Sequence, residues 1–257
     1  MTNETTFSLD DKIALVTGAS GGLGRHFANT LARAGASVAV AARRRDKVEE
    51  TVAAIEADGG KAFAVDMDVT DSASVAEAFD RIEANLANVS VVVNNAGIAS
   101  RGAPQDIGED SWDQAMDTNL KGVWLVATEA ARRMIAAGHG GSIVNIASIA
   151  GLRVIGGLSP YAISKAAVVQ MTQNLAHEWV RHGIRVNALA PGYFETDINR
   201  EFLKTDAGQA IIKRIPMRRT GDMTDLDGPL LLLASEAGAF MTGTTIPVDG
   251  GHMVSGL

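Results

Sequence analysis

Short apolar runs alternate along this chain with longer segments whose apolar residues recur at helical spacing. Each run ends at small or polar residues, and most runs are continuously apolar instead of alternating with polar positions. Strands that are buried on both faces have this pattern, so the sequence predicts a parallel sheet covered by helices. The predicted strands are residues 13–16, 38–40, 62–65, 91–93, 142–146, 184–189 and 245–248.

Segments of helical spacing lie between these strands. Asp71 and Ser159 stand where an N-cap residue is expected, and Pro160 follows Ser159 at the first helical position. The regular alternation predicts an α/β fold, a doubly wound, seven-stranded parallel sheet with helices on both faces, which is Rossmann-like. The predicted helices are residues 22–34, 46–58, 71–86, 111–137, 160–182 and 224–234.

No linker, low-complexity tract or shift in composition divides the 257 residues. A single dinucleotide-binding oxidoreductase domain over residues 1–257 is therefore expected. Residues 193–220 have no place in the sheet and follow the carboxyl end of a strand, where such sheets bind ligands. We predict that this stretch is a substrate lid within the domain.

Composition narrows the classes of function. The chain has no cysteine, which excludes disulfides and thiolate chemistry, and its five histidines show no metal-binding spacing, so no metal site is predicted. A formal net charge of −7 disfavours nucleic acid as a partner. The polar start and the lack of a long apolar run predict a cytoplasmic protein without a membrane partner.

The first strand leads through a glycine-rich turn, residues 18–24, into a helix. Glycines let backbone N–H groups approach a pyrophosphate closely, and the helix dipole favours the anion there. The spacing Gly-x-x-x-Gly-x-Gly differs from the commoner dinucleotide fingerprint, and a turn without a ligand could share it. The expected cofactor contacts in the turn are Gly18, Ser20, Gly22, Leu23 and Gly24.

The end of the second strand indicates which dinucleotide binds. An acidic residue there would hold the ribose diol of NAD, but residues 41–45 contain two alanines and three arginines. Arg43 suits a 2′-phosphate, and an incoming phosphate would offset the cost of cations at a helix start. NADP is therefore predicted, with NAD as the alternative because a solvated basic stretch would look the same.

Tyr161 and Lys165 lie four positions apart on one predicted helix, hence on the same face. A free tyrosine has a pKa of about 10, and a neighbouring ammonium lowers it by favouring the phenolate. Tyr161 can then serve as general acid in reduction and general base in oxidation. Ser148 follows the carboxyl end of another strand, where its hydroxyl can hold the substrate oxygen. A surface tyrosine on an amphipathic helix would show the same spacing.

Together these residues resemble the short-chain dehydrogenase/reductase family over nearly the whole chain. The resemblance implies a nicotinamide cofactor and hydride transfer between it and a ketone or secondary alcohol. The motifs that carry it are residues 17–24, Asp68-Val69, Asn94-Asn95-Ala96-Gly97, the set of Asn119, Ser148, Tyr161 and Lys165, and Pro191-Gly192 with Thr196.

The resemblance also implies individual roles. Lys165 would bind the nicotinamide ribose, and Asn119 would distort its helix and hold a water that relays protons to Lys165. Thr196 and the backbone of residues 193–195 would fix the carboxamide. Many NADP-preferring members carry a basic residue where this chain has Gly21, which leaves the 2′-phosphate to Arg43. Further expected cofactor contacts are Asp68, Val69, Asn95, Ala96, Gly97, Tyr161, Pro191 and Gly192.

Members of this family commonly form tetramers through two long helices and the C-terminal region. The predicted helices 111–137 and 160–182 are apolar enough for that role, so a homotetramer is expected. The alternative is that these apolar faces pack only within the chain.

The fold does not determine the small-molecule substrate. A mostly apolar pocket favours a ketone or 3-oxo compound with an apolar portion, and Arg153 is either an anion contact or a surface charge. The residues expected to line this pocket are 149–158, Tyr193, Phe194, Ile198, Phe202 and Leu203.

Other functions stay open at this point. An NAD-dependent sugar-acid or polyol dehydrogenase is one alternative. A 3-oxoacyl carrier-protein reductase is another, and its basic docking patch could include Arg132 and Arg133. A dinucleotide-binding regulator without catalysis would be expected to lack Tyr161 or Lys165, and both are present.

Overall fold

A seven-stranded parallel sheet forms the centre of the computed structural model, which describes residues 7–99, 101–196 and 200–255. The strand order is β3-β2-β1-β4-β5-β6-β7, so the direction of winding reverses between β1 and β4. The predicted doubly wound, Rossmann-like fold is confirmed, and every predicted strand is present within two residues of its expected ends. The strands are β1 Ile13–Thr17, β2 Ser37–Ala42, β3 Lys61–Asp66, β4 Val91–Asn94, β5 Gly141–Ile146, β6 Ile184–Pro191 and β7 Thr245–Val248.

Helices cover both faces of the sheet. One hydrophobic core lies between the sheet and α1, α2 and α9, and a second lies between the sheet and α3, α5 and α6. The continuous apolar runs of the strands follow from this burial on both sides. The helices are α1 Gly22–Arg33, α2 Arg45–Ala57, α3 Ser72–Asn85, α4 Glu109–Met116, α5 Gly122–Ala136, α6 Ser159–Trp179, α7 Arg200–Lys204, α8 Asp206–Arg214 and α9 Asp227–Ala234.

The predicted helix starts are right in one case and wrong in another. Asp71 caps α3, since its carboxylate accepts a hydrogen bond of 2.9 Å from the backbone N–H of Ala73. Ser159 was expected to cap α6, but Leu158 is the N-cap residue and Ser159 already belongs to the helix. Proline is tolerated in the first turn because the N–H it lacks would have no helical partner there.

Two predicted helices are interrupted. The segment 111–137 starts at residue 109 and is divided by a π-helical turn, Asp117–Lys121, between α4 and α5. The segment 224–234 begins as a 3₁₀ turn, Met223–Leu226, before α9. Apolar spacing does not separate these helix types, because all of them place apolar residues on one side within a turn or two.

The excursion 193–220 leaves the sheet after β6 and carries α7 and α8. Its ends lie together, since Gly221 N–H donates to the Tyr193 carbonyl at 2.9 Å and Phe194 forms a bridge with Gly221. Ile198, which was expected to line the pocket, lies outside the described residues. The excursion is therefore closed at its base, at the carboxyl end of the sheet.

Candidate active site

The turn between β1 and α1 brings backbone N–H groups to the carboxyl edge of the sheet. Gly18 has φ +65°, and a side chain on it would place Cβ 2.8 Å from Cα of Ala96. A Cβ on Gly24 would overlap the Gly18 carbonyl oxygen. The N-terminus of α1 has no side-chain cap and no acidic residue in its first turn. Its N–H groups and dipole are thus available to an anion.

Thr17 and Asn95 join this turn to β4. The Thr17 hydroxyl oxygen accepts from the backbone N–H groups of Asn95 and Ala96, both at 3.1 Å. The Asn95 carboxamide donates to the carbonyls of Thr17 at 3.0 Å and Gly18 at 3.3 Å. These hydrogen bonds fix the position of the glycine turn relative to β4. The turn lies where the sheet reverses its winding, and such folds bind ligands at that point.

The three arginines after β2 have different partners. Arg45 is bound to Glu49 and Asp66, each at 2.8 Å. Arg44 donates to the Ser20 hydroxyl at 3.0 Å, which places its guanidinium beside the glycine turn. The Arg43 side chain is 72% exposed, and its guanidinium forms an ion pair with Asp68 at 4.0 Å. Arg43 and Arg44 therefore line the cleft with guanidinium groups that can bind an anion. The Arg45 guanidinium is already paired with two carboxylates.

Asp68 lies at the end of β3 beside this cluster. Its carboxylate accepts from the Thr70 N–H at 3.0 Å and from the Thr70 hydroxyl at 2.7 Å. These hydrogen bonds hold the pKa of Asp68 below its usual range, with a smaller contribution from Arg43. Asp68 is thus a fixed anionic acceptor next to Val69 on the wall of the cleft.

Ser148 and Tyr161 meet at the far end of the cleft. Ser148 follows β5, is 8% exposed, and its hydroxyl accepts from the Ala150 N–H at 3.1 Å. The Ser148 side chain also hydrogen-bonds the Tyr161 hydroxyl, which favours the phenolate. A hydroxyl pair of this kind can hold one oxygen atom of a substrate from two sides.

Lys165 lies one turn after Tyr161 and is 4% exposed. Its ammonium donates to the Ile146 carbonyl at 2.6 Å and lies 5.8 Å from the centroid of the Tyr161 ring. Burial lowers the pKa of Lys165 to about 8, because the charged form is poorly solvated.

The direction expected for Tyr161 was wrong. The sequence predicted a pKa lowered by Lys165, but burial raises the pKa of the Tyr161 hydroxyl, and the hydrogen bond from Ser148 only partly opposes it. Tyr193 adds to the rise. Tyr161 is therefore protonated at neutral pH, the state in which it can donate a proton to a carbonyl oxygen.

Asn119 lies in the π-helical turn between α4 and α5 and is fully buried. Its carboxamide makes three hydrogen bonds within the protein: the Ile98 N–H donates to its oxygen at 2.8 Å, and its NH₂ group donates to the Ile98 carbonyl at 2.9 Å and to the Ser164 hydroxyl at 3.1 Å. Ser164 donates to the Tyr161 carbonyl at 2.7 Å. The helix distortion expected for Asn119 is present, and it ties this turn to the helix of Tyr161.

One cleft of about 700 Å³ joins these parts. Asn119 stands behind the wall of this cleft, where its Oδ1 would lie 3.2 Å from a Cβ on Gly97. Thr196 closes the cleft opposite Gly22, where its methyl group would lie 3.9 Å from a Cβ. Apart from Asn119, the predicted site residues line the cleft together, namely Gly18, Ser20, Gly22, Leu23, Gly24, Arg43, Asp68, Val69, Asn95, Ala96, Gly97, Ser148, Tyr161, Lys165, Pro191, Gly192 and Thr196.

The substrate end of the cleft has much of the apolar lining that was expected. Six of the predicted lining residues border the cleft, namely Ile149, Ala150, Ile155, Leu158, Tyr193 and Phe194. Leu203 is 4% exposed and is not among the residues that line the cleft.

Arg101 also lines the substrate end of the cleft, and sequence reasoning missed it. Its guanidinium lies 4.8 Å from the centre of the Phe202 ring. The available signal was its position four residues after Gly97, at the carboxyl end of β4.

Three other arginines have structural partners. Arg153 was predicted to be an anion contact or a surface charge, but its guanidinium donates to the His252 carbonyl and the Ser255 hydroxyl. Arg132 is bound to Glu129, and Arg133 binds Glu129, Glu83 and Asp80 in a partly exposed network between α3 and α5. These pairs neutralise the basic patch that carrier-protein docking would need.

Within the described ranges, no three histidine or acidic side chains converge as a metal site would require. No helix in these ranges has the length and apolar character needed to cross a membrane.

Comparison with known proteins agrees with this architecture. The family model described as enoyl-(acyl carrier protein) reductase matches residues 18–253. Gluconate 5-dehydrogenase of Gluconobacter oxydans is 37% identical over 99% of this chain and 100% of the relative. A 3-oxoacyl-[acyl-carrier-protein] reductase of Staphylococcus epidermidis is 38% identical over 94% and 98%. A gluconate 5-dehydrogenase from Burkholderia cenocepacia, crystallised with NADP and tartrate, superposes with a TM-score of 0.94, at 38% identity over 98% of both chains.

Proposed function

Because this chain belongs to the short-chain dehydrogenase/reductase family, whose members are NAD(P)-dependent oxidoreductases acting on CH–OH groups, we propose that it interconverts a ketone and a secondary alcohol on a polyhydroxylated carboxylic acid, with NADP(H) as cofactor. The observation that carries the proposal is a single cleft that runs from the glycine turn to Ser148, Tyr161 and Arg101.

The residues of the cleft fit a phosphorylated dinucleotide. A Cβ on Gly18 or on Gly24 would overlap neighbouring atoms of this close-packed turn, and the N-terminus of α1 lacks a side-chain cap. Arg43 and Arg44 would hold the 2′-phosphate, and the Arg44 guanidinium already donates to the hydroxyl of Ser20 in the turn. When bound, the cofactor supplies the hydride in reduction and accepts it in oxidation.

Side chains of the protein would hold the substrate's carbonyl oxygen and transfer the proton to it. Ser148 and Tyr161 would hold the carbonyl oxygen, and Tyr161, protonated at neutral pH, would donate its proton there as the carbon accepts the hydride. Lys165 would stabilise the phenolate that forms, because its ammonium lies next to the ring in a poorly solvated place. In oxidation the same proton returns to Tyr161. Asn119 would support this relay from the π-helical turn.

Arg101 favours a substrate with a carboxylate over the apolar ketone expected from the sequence. Arg101 borders the cleft and packs on the Phe202 ring, and among the described residues no acidic side chain forms an ion pair with it. A guanidinium without an internal partner is suited to a bidentate bond with a carboxylate. Several relatives are named for sugar acids, including the gluconate 5-dehydrogenases. The carrier-protein alternative is disfavoured because Arg132 and Arg133 are already paired.

The test is Arg101→Gln, assayed by NADPH formation with D-gluconate and with D-glucitol, which has the same carbon chain without the carboxylate. A charge-assisted bond of about 1.5–3 kcal/mol predicts a roughly 10- to 100-fold fall in kcat/KM for gluconate. The value for glucitol should not change, and Arg132→Gln, outside the cleft, should affect neither substrate. Equal losses with both substrates, or none, would remove Arg101 from substrate recognition.

A further inference from the structure

The C-terminal turn packs against the end of β6 that carries the cleft. The Gly192 N–H donates to the Val248 carbonyl at 2.9 Å, and a Cβ on Gly192 would lie 2.8 Å from Cα of Asp249. The Asp249 carboxylate accepts from the N–H groups of Gly251 at 2.9 Å and Met253 at 2.7 Å. These hydrogen bonds and the close approach of Gly192 to Asp249 therefore fix both the shape of the C-terminal turn and its position along β6.

Arg153 ties this turn to a second loop of the site. It lies in the loop that follows Ser148, and its guanidinium donates to the His252 carbonyl and to the Ser255 hydroxyl. The C-terminal turn thus connects the loop after β5, which holds Ser148, to the loop after β6, which begins with Tyr193.

His252 presents its imidazole ring to Tyr193. The two ring centroids are 5.6 Å apart, with the planes tilted by 40°. Burial and the nearby charges of Arg153 and Arg214 lower the pKa of His252, and Asp249 opposes them. The ring is consequently neutral at pH 7 and packs as an aromatic surface.

Tyr193 lines the cleft beside Tyr161, near enough that its charge would raise the pKa of Tyr161. The Tyr193 side chain is half-buried, and no hydrogen bond from its hydroxyl to another described residue is present. A tyrosine hydroxyl in such a place normally finds a partner. Since the ring is held from behind by His252, the free side of this hydroxyl is the cleft.

We propose that Tyr193 is a specificity-determining residue that hydrogen-bonds a substrate hydroxyl next to the reacting carbon, and that His252 and Arg153 are positioning residues that hold its ring at the cleft. The proposal rests on the proposed function and adds a contact that distinguishes a polyhydroxylated acid from one with a single hydroxyl.

Kinetics test the two roles separately. Tyr193→Phe removes only the oxygen, so KM for D-gluconate should rise about tenfold while kcat and the affinity for NADP⁺ stay within twofold. His252→Ala should raise KM in the same way, whereas His252→Phe, which keeps an aromatic surface, should restore it. His177→Ala, on the exposed side of α6, is the matched control. Equal losses in the two His252 variants would mean that stacking does not position Tyr193.

The chain has only two tyrosines, so NMR of protein labelled with ¹³C at the tyrosine ζ carbon gives two signals, which Tyr193→Phe assigns. In the NADP⁺ complex, D-gluconate should move both signals, and His252→Ala, unlike His252→Phe, should shift the Tyr193 signal before gluconate is added. If gluconate moves Tyr161 alone, the Tyr193 contact is wrong and the proposed function stands. If it moves neither signal, the sugar-acid substrate is wrong, and the Tyr193 contact with it.

Discussion

The cofactor end and the substrate end of the cleft are built in different ways. The cofactor end consists mainly of backbone, the turn of residues 18–24 and the uncapped start of α1, and only the arginines that follow β2 add side chains to it. The substrate end consists of side chains from separate loops, with Arg101 after β4, Tyr193 after β6 and His252 from the C-terminal turn. A pyrophosphate is common to every reaction of the cofactor, whereas the substrate varies, so the variable end lies on loops that tolerate change.

Between these two ends lies a group of buried polar side chains that serves the proposed chemistry and lowers the stability of the fold. Lys165 is a buried cation, and Asn119 and Ser164 are buried polar side chains that need each other as partners. Such groups lower stability unless they are fully hydrogen-bonded. The following experiments separate the two ends and measure this cost.

The largest effect is expected for Tyr161→Phe, which should remove the chemistry and spare the cofactor end. Losing the proton donor should lower kcat by roughly 10³-fold or more, within the range known for general acids. The affinity for NADPH, measured by fluorescence titration, should change less than threefold. A variant that keeps a tenth of wild-type kcat would show that another group supplies the proton.

Lys165→Met should abolish turnover but stabilise the fold. The difference between the ordinary pKa of 10.5 and about 8 corresponds to about 3 kcal/mol, which the folded protein loses below pH 8 by holding a buried ammonium. The unfolded chain keeps this proton up to pH 10.5, so wild-type stability should rise between pH 8 and 10.5.

Urea unfolding of both proteins at pH 7.0 and 9.5 checks this prediction. The advantage of the Met variant should be large at pH 7.0 and should shrink at pH 9.5. An advantage that does not depend on pH would mean that burial of the charge is not its cause.

Arg43→Ala and Arg44→Ala test whether the cofactor end selects the 2′-phosphate. Each loses a charge-assisted contact, so the preference for NADPH over NADH should fall about 10-fold or more, with the affinity for NADH little changed. Arg45→Ala is the control, because that side chain is bound to Glu49 and Asp66. Equal losses for both cofactors would point to a general effect on the turn.

The last test compares two glycines of the cofactor turn by their effect on stability alone. A Cβ on Gly24 would overlap the Gly18 carbonyl, whereas Gly21 has extended backbone and no atom within 4 Å of its Cβ position. Gly24→Ala should lower the free energy of unfolding by about 2 kcal/mol, and Gly21→Ala by less than about 0.5. Thermal unfolding without cofactor measures both, and similar shifts would show that the close packing of the turn is not what requires glycine.

This comparison also explains what could be predicted from the sequence. Fold and cofactor end follow from contiguous patterns, since buried parallel strands are continuously apolar and the glycine turn lies in one short segment. The helix break at Asn119 was expected only from the family resemblance, because apolar spacing does not distinguish a π-helical turn from an α-helix. The raised pKa of Tyr161 depends on burial, which four-residue spacing to Lys165 does not determine.

The substrate end was harder to predict for a physical reason. Arg101 and Phe202 are about a hundred positions apart, as are Arg153 and His252, and only the folded sheet brings them together. Arginines also look alike in sequence: Arg132, Arg133 and Arg153 turned out to be structurally paired, and Arg101 was left at the cleft.

The proposed oxidation of a sugar acid with NADP⁺ is tested by the change in absorbance at 340 nm when the wild-type protein is given each cofactor with each substrate class. D-gluconate with NADP⁺ should give the highest kcat/KM, well above gluconate with NAD⁺. NADPH should reduce 3-oxobutyryl-CoA only slowly. Efficient reduction of the thioester with no oxidation of gluconate would overturn the proposed function and favour a 3-oxoacyl reductase.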